Sequence, residues 1–189
     1  MTVVTRAQQT DDVAEVLVTA DEIAEKVREL GAKIAADYRS KDLVLVSILK
    51  GALPFLADLM RATPIPLALD FLEVSSYGAG TESSGAVRIL KDLANPIEGR
   101  HVLVVEDILD TGHTLSYVFE HLRAQRPESV RLCVLLDKPA RRVIPIDIDY
   151  RGFEIPDKFV VGYGLDYAER YRNLPFVGVL KPEVYARGS

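Results

Sequence analysis

Three stretches of almost wholly apolar residues constrain this chain most: Leu43–Leu49, residues 102–105 and residues 130–136. A run without polar alternation reads as a strand buried on both faces, the mark of a parallel sheet covered by helices. Segments with helical spacing fall between these runs. Ile23, Val27, Leu30, Ile34 and Tyr38 form one apolar stripe, and Thr19 with Glu22 has capping-box form, so a helix is expected over residues 19–39. Gly31 should weaken that helix by about 1 kcal/mol relative to alanine. A second helix carries Leu53, Leu56, Leu59 and Met60, with Pro54 in its first turn. A third carries Leu115, Val118, Phe119 and Leu122 and is closed by Pro127. Further strands are expected at residues 16–18, 67–74, 86–91, 144–150 and 158–161, and residues before about Asp12 should be loose. Alternating strands and helices imply an α/β fold on a mainly parallel, twisted sheet flanked by helices.

The length of 189 residues suits one domain with a sizeable core. Lysine and arginine number 23 against 28 acidic residues, a net charge of −5, which argues against a chain that coats nucleic acid or an anionic membrane. Cys133 is the only cysteine, which excludes an intrachain disulfide, and its place inside an apolar run marks it as an inert buried residue. The first twelve residues lack the apolar core of a secretory signal, and no segment is long enough to span a bilayer. A reducing cytoplasm is therefore the expected compartment.

Ligands of parallel α/β folds bind at the carboxyl ends of strands. Here those ends carry Lys50-Gly51, Glu106-Asp107 followed by Asp110-Thr111-Gly112-His113-Thr114-Leu115, and Lys138-Pro139. The second of these leads into a helix, whose free N–H groups and dipole favour a phosphate. Carboxylates beside a phosphate cradle would repel the ligand unless hydroxyl groups or a bridging divalent cation accompany it. That combination points to a sugar phosphate. Neither a Walker nor a Rossmann glycine pattern is present, so nucleoside triphosphates and dinucleotides lose support. Residues 75–85, rich in glycine and serine, read as a mobile loop.

Residues 104–115 resemble the phosphoribosyl pyrophosphate (PRPP) motif of the type I phosphoribosyltransferases: apolar residues, two acids, a spacer, Asp, then Thr-Gly-x-Thr. Ser47-Ile-Leu-Lys-Gly51, Ser75-Ser-Tyr-Gly78, Leu136-Asp-Lys138 and residues 156–167 are similar to the hypoxanthine-guanine members of that superfamily. The resemblance extends from about residue 16 to Tyr185. It implies a single domain, with a core of about residues 30–150 under a small hood built from about residues 10–20 and 151–189.

The same resemblance implies the chemistry. Glu106 and Asp107 would accept hydrogen bonds from the ribose hydroxyls directly or through Mg²⁺, the implied cofactor, and Asp166 would anchor a Mg²⁺ near the purine. Asp110 would act as general base at purine N7. Asp110, Thr111, Gly112, His113, Thr114 and Leu115 would hold the 5′-phosphate, His113 by its backbone alone. Lys50, Gly51 and Arg172 would bind pyrophosphate, in a loop where a non-proline cis peptide can occur. Ser76 and Tyr77 would belong to the closing loop. Lys138 would donate to the 6-oxo group of hypoxanthine or guanine, since an ammonium facing the amino group of adenine sets donor against donor. Phe159 would stack on the purine and Val160 would bond it through its backbone. Implied partners are PRPP and a 6-oxopurine, without nucleic acid or membrane, in a homo-oligomer, dimer or tetramer. A PRPP-binding regulator of nucleotide-biosynthesis genes is the alternative; Asp110, Lys138 and the acidic balance weigh against it. Lys138 and the Phe159-Val160 pair likewise weigh against adenine, orotate or uracil transferases.

Overall fold

A computed structural model describes residues 6–76 and 87–185. Its centre is a six-stranded sheet. The strands are β2 (Leu43–Leu49), β3 (Ala68–Ser76), β4 (Val87–Lys91), β5 (His101–Leu109), β6 (Ser129–Asp137) and β7 (Tyr150–Glu154), in the order β4-β3-β2-β5-β6-β7. All neighbours are parallel except β3 with the edge strand β4. The apolar runs are continuous because both faces of the sheet are covered. Leu43, Leu45, Leu103, Val105, Cys133 and Leu135 face α2 (Ala20–Asp37) and α3 (Leu53–Ala62), whereas Val44, Val46, Val102, Val104, Leu132 and Val134 face α4 (His113–Ala124). Each such side chain contributes about 1.5–3 kcal/mol by burial.

The helices begin where their sequences provide for it. At α2 the Thr19 hydroxyl accepts from Glu22 N at 3.3 Å, and the Glu22 carboxylate accepts from Thr19 N at 2.8 Å. This reciprocal capping box satisfies two backbone donors that the helix leaves free. Gly31 has a packing role that its propensity conceals. A Cβ there would run into the Ala62 carbonyl, so the glycine lets α2 pass close to the end of α3.

The order of the strands determines where a ligand can sit. From β2 the chain proceeds outward to β3 and β4, then crosses back to place β5 on the other side of β2. The loops leaving the carboxyl ends of β2 and β5 thus diverge at a topological switch point, the crevice where open α/β sheets bind ligands. A second, antiparallel sheet of order β1-β9-β8 joins the two ends of the chain: β1 (Val13–Val18), β8 (Val160–Val161) and β9 (Val177–Leu180). A four-residue helix, α5 (Pro182–Tyr185), follows it.

Several local expectations are corrected. The stretch before Asp12 is not loose throughout, for Arg6–Asp11 forms a short helix, α1. The expected strand at residues 144–150 is reduced to the start of β7 at Tyr150. There the alternation Ile-Pro-Ile-Asp-Ile-Asp imitates a strand, yet Pro145 has no N–H to give a ladder. Instead the Asp149 side chain accepts from Leu132 N at 2.9 Å, and Ile146 and Ile148 pack toward α4. Residues 158–161 yield only the two-residue β8, and β9 was not foreseen. Leu53 is 48% exposed, while Phe55 occupies the buried face of α3 instead. No described helix is long and apolar enough to cross a membrane.

Candidate active site

Strand β5 does not end where the sequence turns acidic. It continues through Glu106 and Asp107 to Leu109, so both carboxylates are held by the sheet itself. Asp107 is buried and its Oδ1 accepts from Ile108 N at 2.8 Å. Glu106 is half-buried, and its Oε2 has no hydrogen-bond partner among the described residues. Burial pushes Glu106 well above the usual carboxylate range, and the adjacent Asp107 charge adds to the effect. Burial also raises Asp107, against the opposing pull of the Ile108 N–H and the Arg172 charge. Two neighbouring carboxyl groups of this kind are stabilised in their charged form by a cation or by hydroxyl donors placed beside them.

Beyond Leu109 the chain turns through Asp110, Thr111 and Gly112 into α4. Gly112 has φ of +91°, and a Cβ on it would lie 2.6 Å from the Ile144 carbonyl oxygen. Only glycine fits that turn. The N-cap of α4 is Gly112, which has no side chain to satisfy the N–H groups of the first turn. A cavity of about 130 Å³ opens here, lined by Glu106, Asp110, Thr111, Gly112, Thr114 and Leu115 among others. His113 is exposed at the first position of the helix. The Asp110 carboxylate lies 3.1 Å from Arg141 Nε, within ion-pair distance but not aligned as a hydrogen bond.

Two further loops close on this one. After β2 the peptide Leu49-Lys50 is cis, within the loop where a non-proline cis bond is expected. Gly51 lies directly against Asp107, because a Cβ on Gly51 would overlap its carboxylate. Gly164 (φ +102°) lies equally close to the Gly51 carbonyl. Beyond it, Arg172 donates to the Gly164 carbonyl at 2.8 Å and pairs with Asp166 at 2.8 Å and Glu169 at 3.2 Å. Lys50 Nζ lies 3.4 Å from the same Glu169. Asp166 is engaged at both oxygens, since its Oδ2 accepts from Glu169 N at 2.9 Å. The cations expected to bind pyrophosphate therefore converge, with Glu169 between them.

Lys138, at the end of β6, is 6% exposed, which is unusual for a lysine. Its Nζ donates to the Lys158 carbonyl at 2.9 Å and lies 3.7 Å from the Asp157 carboxylate. That bond brings it next to the Phe159-Val160 segment. Phe159 is 43% exposed, with its ring 5.2 Å from Tyr185 and 5.7 Å from Tyr167. Val160 is buried in β8 opposite Val179. Ser76 ends β3, and Tyr77 lies outside the described residues.

The sequence reading overlooked Arg141, Arg142 and Glu169. The paired arginines three residues beyond Lys138 were the available signal: two cations following a strand that ends in an acid. Glu169 carried none, because an isolated acid in a turn-rich segment is commonplace.

The profile of the phosphoribosyl transferase domain family matches residues 15–168. The chain belongs to the phosphoribosyltransferase family. Within that family it groups with the hypoxanthine-guanine enzymes. It is 53% identical to the hypoxanthine-guanine phosphoribosyltransferase of Bacillus subtilis over 174 residues, 92% of this chain and 97% of that protein. The crystal structure of a hypoxanthine phosphoribosyltransferase from Staphylococcus aureus superposes with a TM-score of 0.92 at 49% identity, covering 96% of this chain and 99% of that one. The bifunctional protein TilS/HprT of Listeria innocua is 53% identical over 176 residues, 93% of this chain, yet the chain spans only 27% of that relative's length. Among the described residues, two roomier clefts lie away from the switch point. One of about 370 Å³ runs between α4 and residues 145–149, and another of about 370 Å³ lies beside Asp11, Arg170 and Lys181. Neither contains a glycine turn leading into a helix, and size alone does not locate the chemistry.

Proposed function

We propose that this chain transfers the 5-phosphoribosyl group from PRPP to N9 of hypoxanthine or guanine, giving IMP or GMP and pyrophosphate, as a step in purine salvage. One observation carries the choice of acceptor: a buried lysine, Lys138, bonds the Lys158 carbonyl next to the partly exposed Phe159, and its backbone N–H bonds Leu109 at the end of β5. An ammonium so placed has three donors and no acceptor, which suits a 6-oxo group and opposes a 6-amino group. Val160 would bond the purine edge through its backbone. The hypoxanthine-guanine relatives point the same way.

The residues suggest how the reaction proceeds. The N–H groups at the start of α4, with the Thr111 and Thr114 hydroxyls, bind the 5′-phosphate. Glu106 and Asp107 orient the ribose through its 2′- and 3′-hydroxyls. Lys50, the Gly51 backbone and Arg172 hold the pyrophosphate, which leaves with the electrons of the C1′–O bond as N9 attacks C1′. Asp110 accepts the N7 proton, so the purine delivers electron density without accumulating positive charge.

Mg²⁺ is part of this reading. The donor set fits it: Glu106 Oε2 is a hard oxygen without a partner, next to the Asp107 carboxylate. Among the described residues no three metal-ligating side chains converge, which agrees with a small cation that takes one or two protein carboxylates and draws its other oxygens from substrate. Glu106 and Asp107 would hold one ion and Asp166 would anchor another. Bound there, Mg²⁺ supplies positive charge to the ribose hydroxyls and to the departing pyrophosphate.

The sheet β1-β9-β8 is assigned as the hood over the acceptor side, with the parallel sheet as the core of a single domain. The reading also makes the protein a cytoplasmic homo-oligomer, dimer or tetramer. Its test is an assay of the purified protein with PRPP, Mg²⁺ and, in turn, hypoxanthine, guanine, xanthine and adenine. IMP and GMP should form and AMP should not. Failure to form IMP or GMP overturns the reading, and RNA or DNA binding that weakens steeply with salt would instead favour a regulator.

A further inference from the structure

The loop at residues 109–112 is braced from behind by side chains to which the reaction above gives no part. Asp137 closes β6 with its side chain 3% exposed, and two arginines share its charge. Arg142 Nη2 lies 2.5 Å from Oδ1, and Arg151 Nε lies 3.0 Å from Oδ2. A carboxylate buried this deeply is strongly unfavourable unless cations pair with it and hydrogen bonds satisfy it. Both arginines serve that need, but they differ in everything else they touch.

Arg142 reaches the substrate loop. Its Nε donates to the Asp110 carbonyl at 2.9 Å and its Nη2 to the Leu109 carbonyl at 3.2 Å. The residues after it extend the hold, since Val143 N and Ile144 N both donate to the Thr111 carbonyl at 3.0 Å. Arg151 instead turns outward, where its other partner is the exposed Glu154 carboxylate at 3.7 Å. The Leu109 carbonyl also accepts from Lys138 N at 3.0 Å. One guanidinium thus ties the strand end that carries Lys138 to the backbone that carries Asp110. Its planar fork serves three acceptors at fixed angles, which a lysine ammonium of similar reach does not match.

We propose that Arg142 is a positioning residue for phosphoribosyl transfer. Anchored on Asp137, it fixes the Leu109-Asp110 backbone so that the base at Asp110 and the purine held by Lys138 meet in one geometry. The inference rests on the proposed function, because it concerns the alignment of those two groups. Arg151 pairs with Asp137 and the exposed Glu154, away from the loop carbonyls, and contributes to stability without aligning anything.

The experiment compares Arg142→Ala, Arg142→Lys and Arg151→Ala in steady-state turnover of PRPP and hypoxanthine, together with thermal unfolding. Arg142→Ala should lower kcat by roughly 30-fold or more, with KM for hypoxanthine changed by less than about threefold, as expected when alignment rather than binding is lost. Arg151→Ala should lower Tm yet keep kcat within about threefold of wild type, since it leaves the loop contacts intact. Arg142→Lys keeps a cation opposite Asp137; it should recover Tm while recovering only part of kcat. Should Arg142→Ala fail to fold, Arg142→Lys against Arg151→Ala decides alone. Full kcat in Arg142→Lys, or equal losses in Arg142→Ala and Arg151→Ala, overturns the proposal. Absence of IMP synthesis by wild type defeats the proposed function itself, whereas an active wild type with an indifferent Arg142 defeats only this inference.

Discussion

Replacing Lys138 with alanine tests acceptor choice most directly. The wild-type ammonium is buried, donates to the Lys158 carbonyl at 2.9 Å, and has donor capacity left for a ligand. A hydrogen bond from a charged group to a substrate oxygen is worth about 1.5–3 kcal/mol. At about 1.4 kcal/mol per decade, its loss should reduce kcat/KM for hypoxanthine and guanine by roughly 10- to 150-fold. The same change removes the donor opposed to the adenine amino group, so the ratio of hypoxanthine to adenine turnover should narrow. That ratio separates recognition from damage, because a distorted Lys158-Phe159 segment would slow all purines alike. Glu154→Ala is the control. Its carboxylate is 62% exposed and pairs with the half-exposed Arg151 at 3.7 Å, so kcat/KM should stay within about twofold of wild type. Initial rates for each purine at saturating PRPP give the comparison. Equal effects of the two substitutions, or an unchanged purine ratio in Lys138→Ala, would refute the assignment of Lys138 to the oxo group.

Glu106→Gln should raise Tm at about pH 8 but hardly at about pH 5: with its pKa raised on folding, Glu106 favours the folded state below the ordinary carboxylate range and loses that contribution as pH climbs through the raised value. A Tm difference independent of pH would contradict this, and activity should fall regardless. Gly51→Ala places a methyl group on the Asp107 carboxylate, and the resulting displacement should cost roughly a hundredfold in turnover of PRPP, measured as kcat, with a far smaller change in Tm. Thr19→Ala removes one half of the capping box and should destabilise the fold by about 1 kcal/mol, visible as a Tm lower by about 2–4 °C. An unchanged Tm would show that the cap is redundant.

The parallel sheet was legible because burial on both faces leaves no room for alternation, and residues 43–49 and 130–136 state that plainly. The α2 cap was equally legible, since Thr19 and Glu22 lie three residues apart and form a local structure. Non-local features were harder. Strand β9 has only four residues, and its partners β1 and β8 lie far away in sequence; a strand that short depends on its neighbours more than on its own pattern. Glu106 and Asp107 read as residues beyond the strand's end because acids rarely occupy a buried strand, and a site that binds hydroxyls or cations is where that rule fails. Gly31 looked like a weakness because propensity does not register the helix that crosses there. The candidate site was readable as a set of residue types, but its convergence was not. That Gly51, Asp107 and Gly164 pack without space for a methyl group depends on one strand and two loops, each more than fifty residues from the next.

The outer edge of the small sheet has a consequence for how this unit can be built into longer chains. Val13 is paired with Leu180, and Lys181 N donates to the Asp12 carbonyl at 2.9 Å, so the chain enters and leaves the described fold side by side. Adjacent ends make a fold portable: it can be appended, inserted or circularly permuted with a short connection. The same closeness sets a limit. A fusion that strains residues 13–18 pulls directly on β9, and through β9 on β8, where the residues assigned to the purine begin. Linkers that leave β1 free should therefore preserve acceptor binding, and shorter ones should impair it before they unfold the parallel sheet.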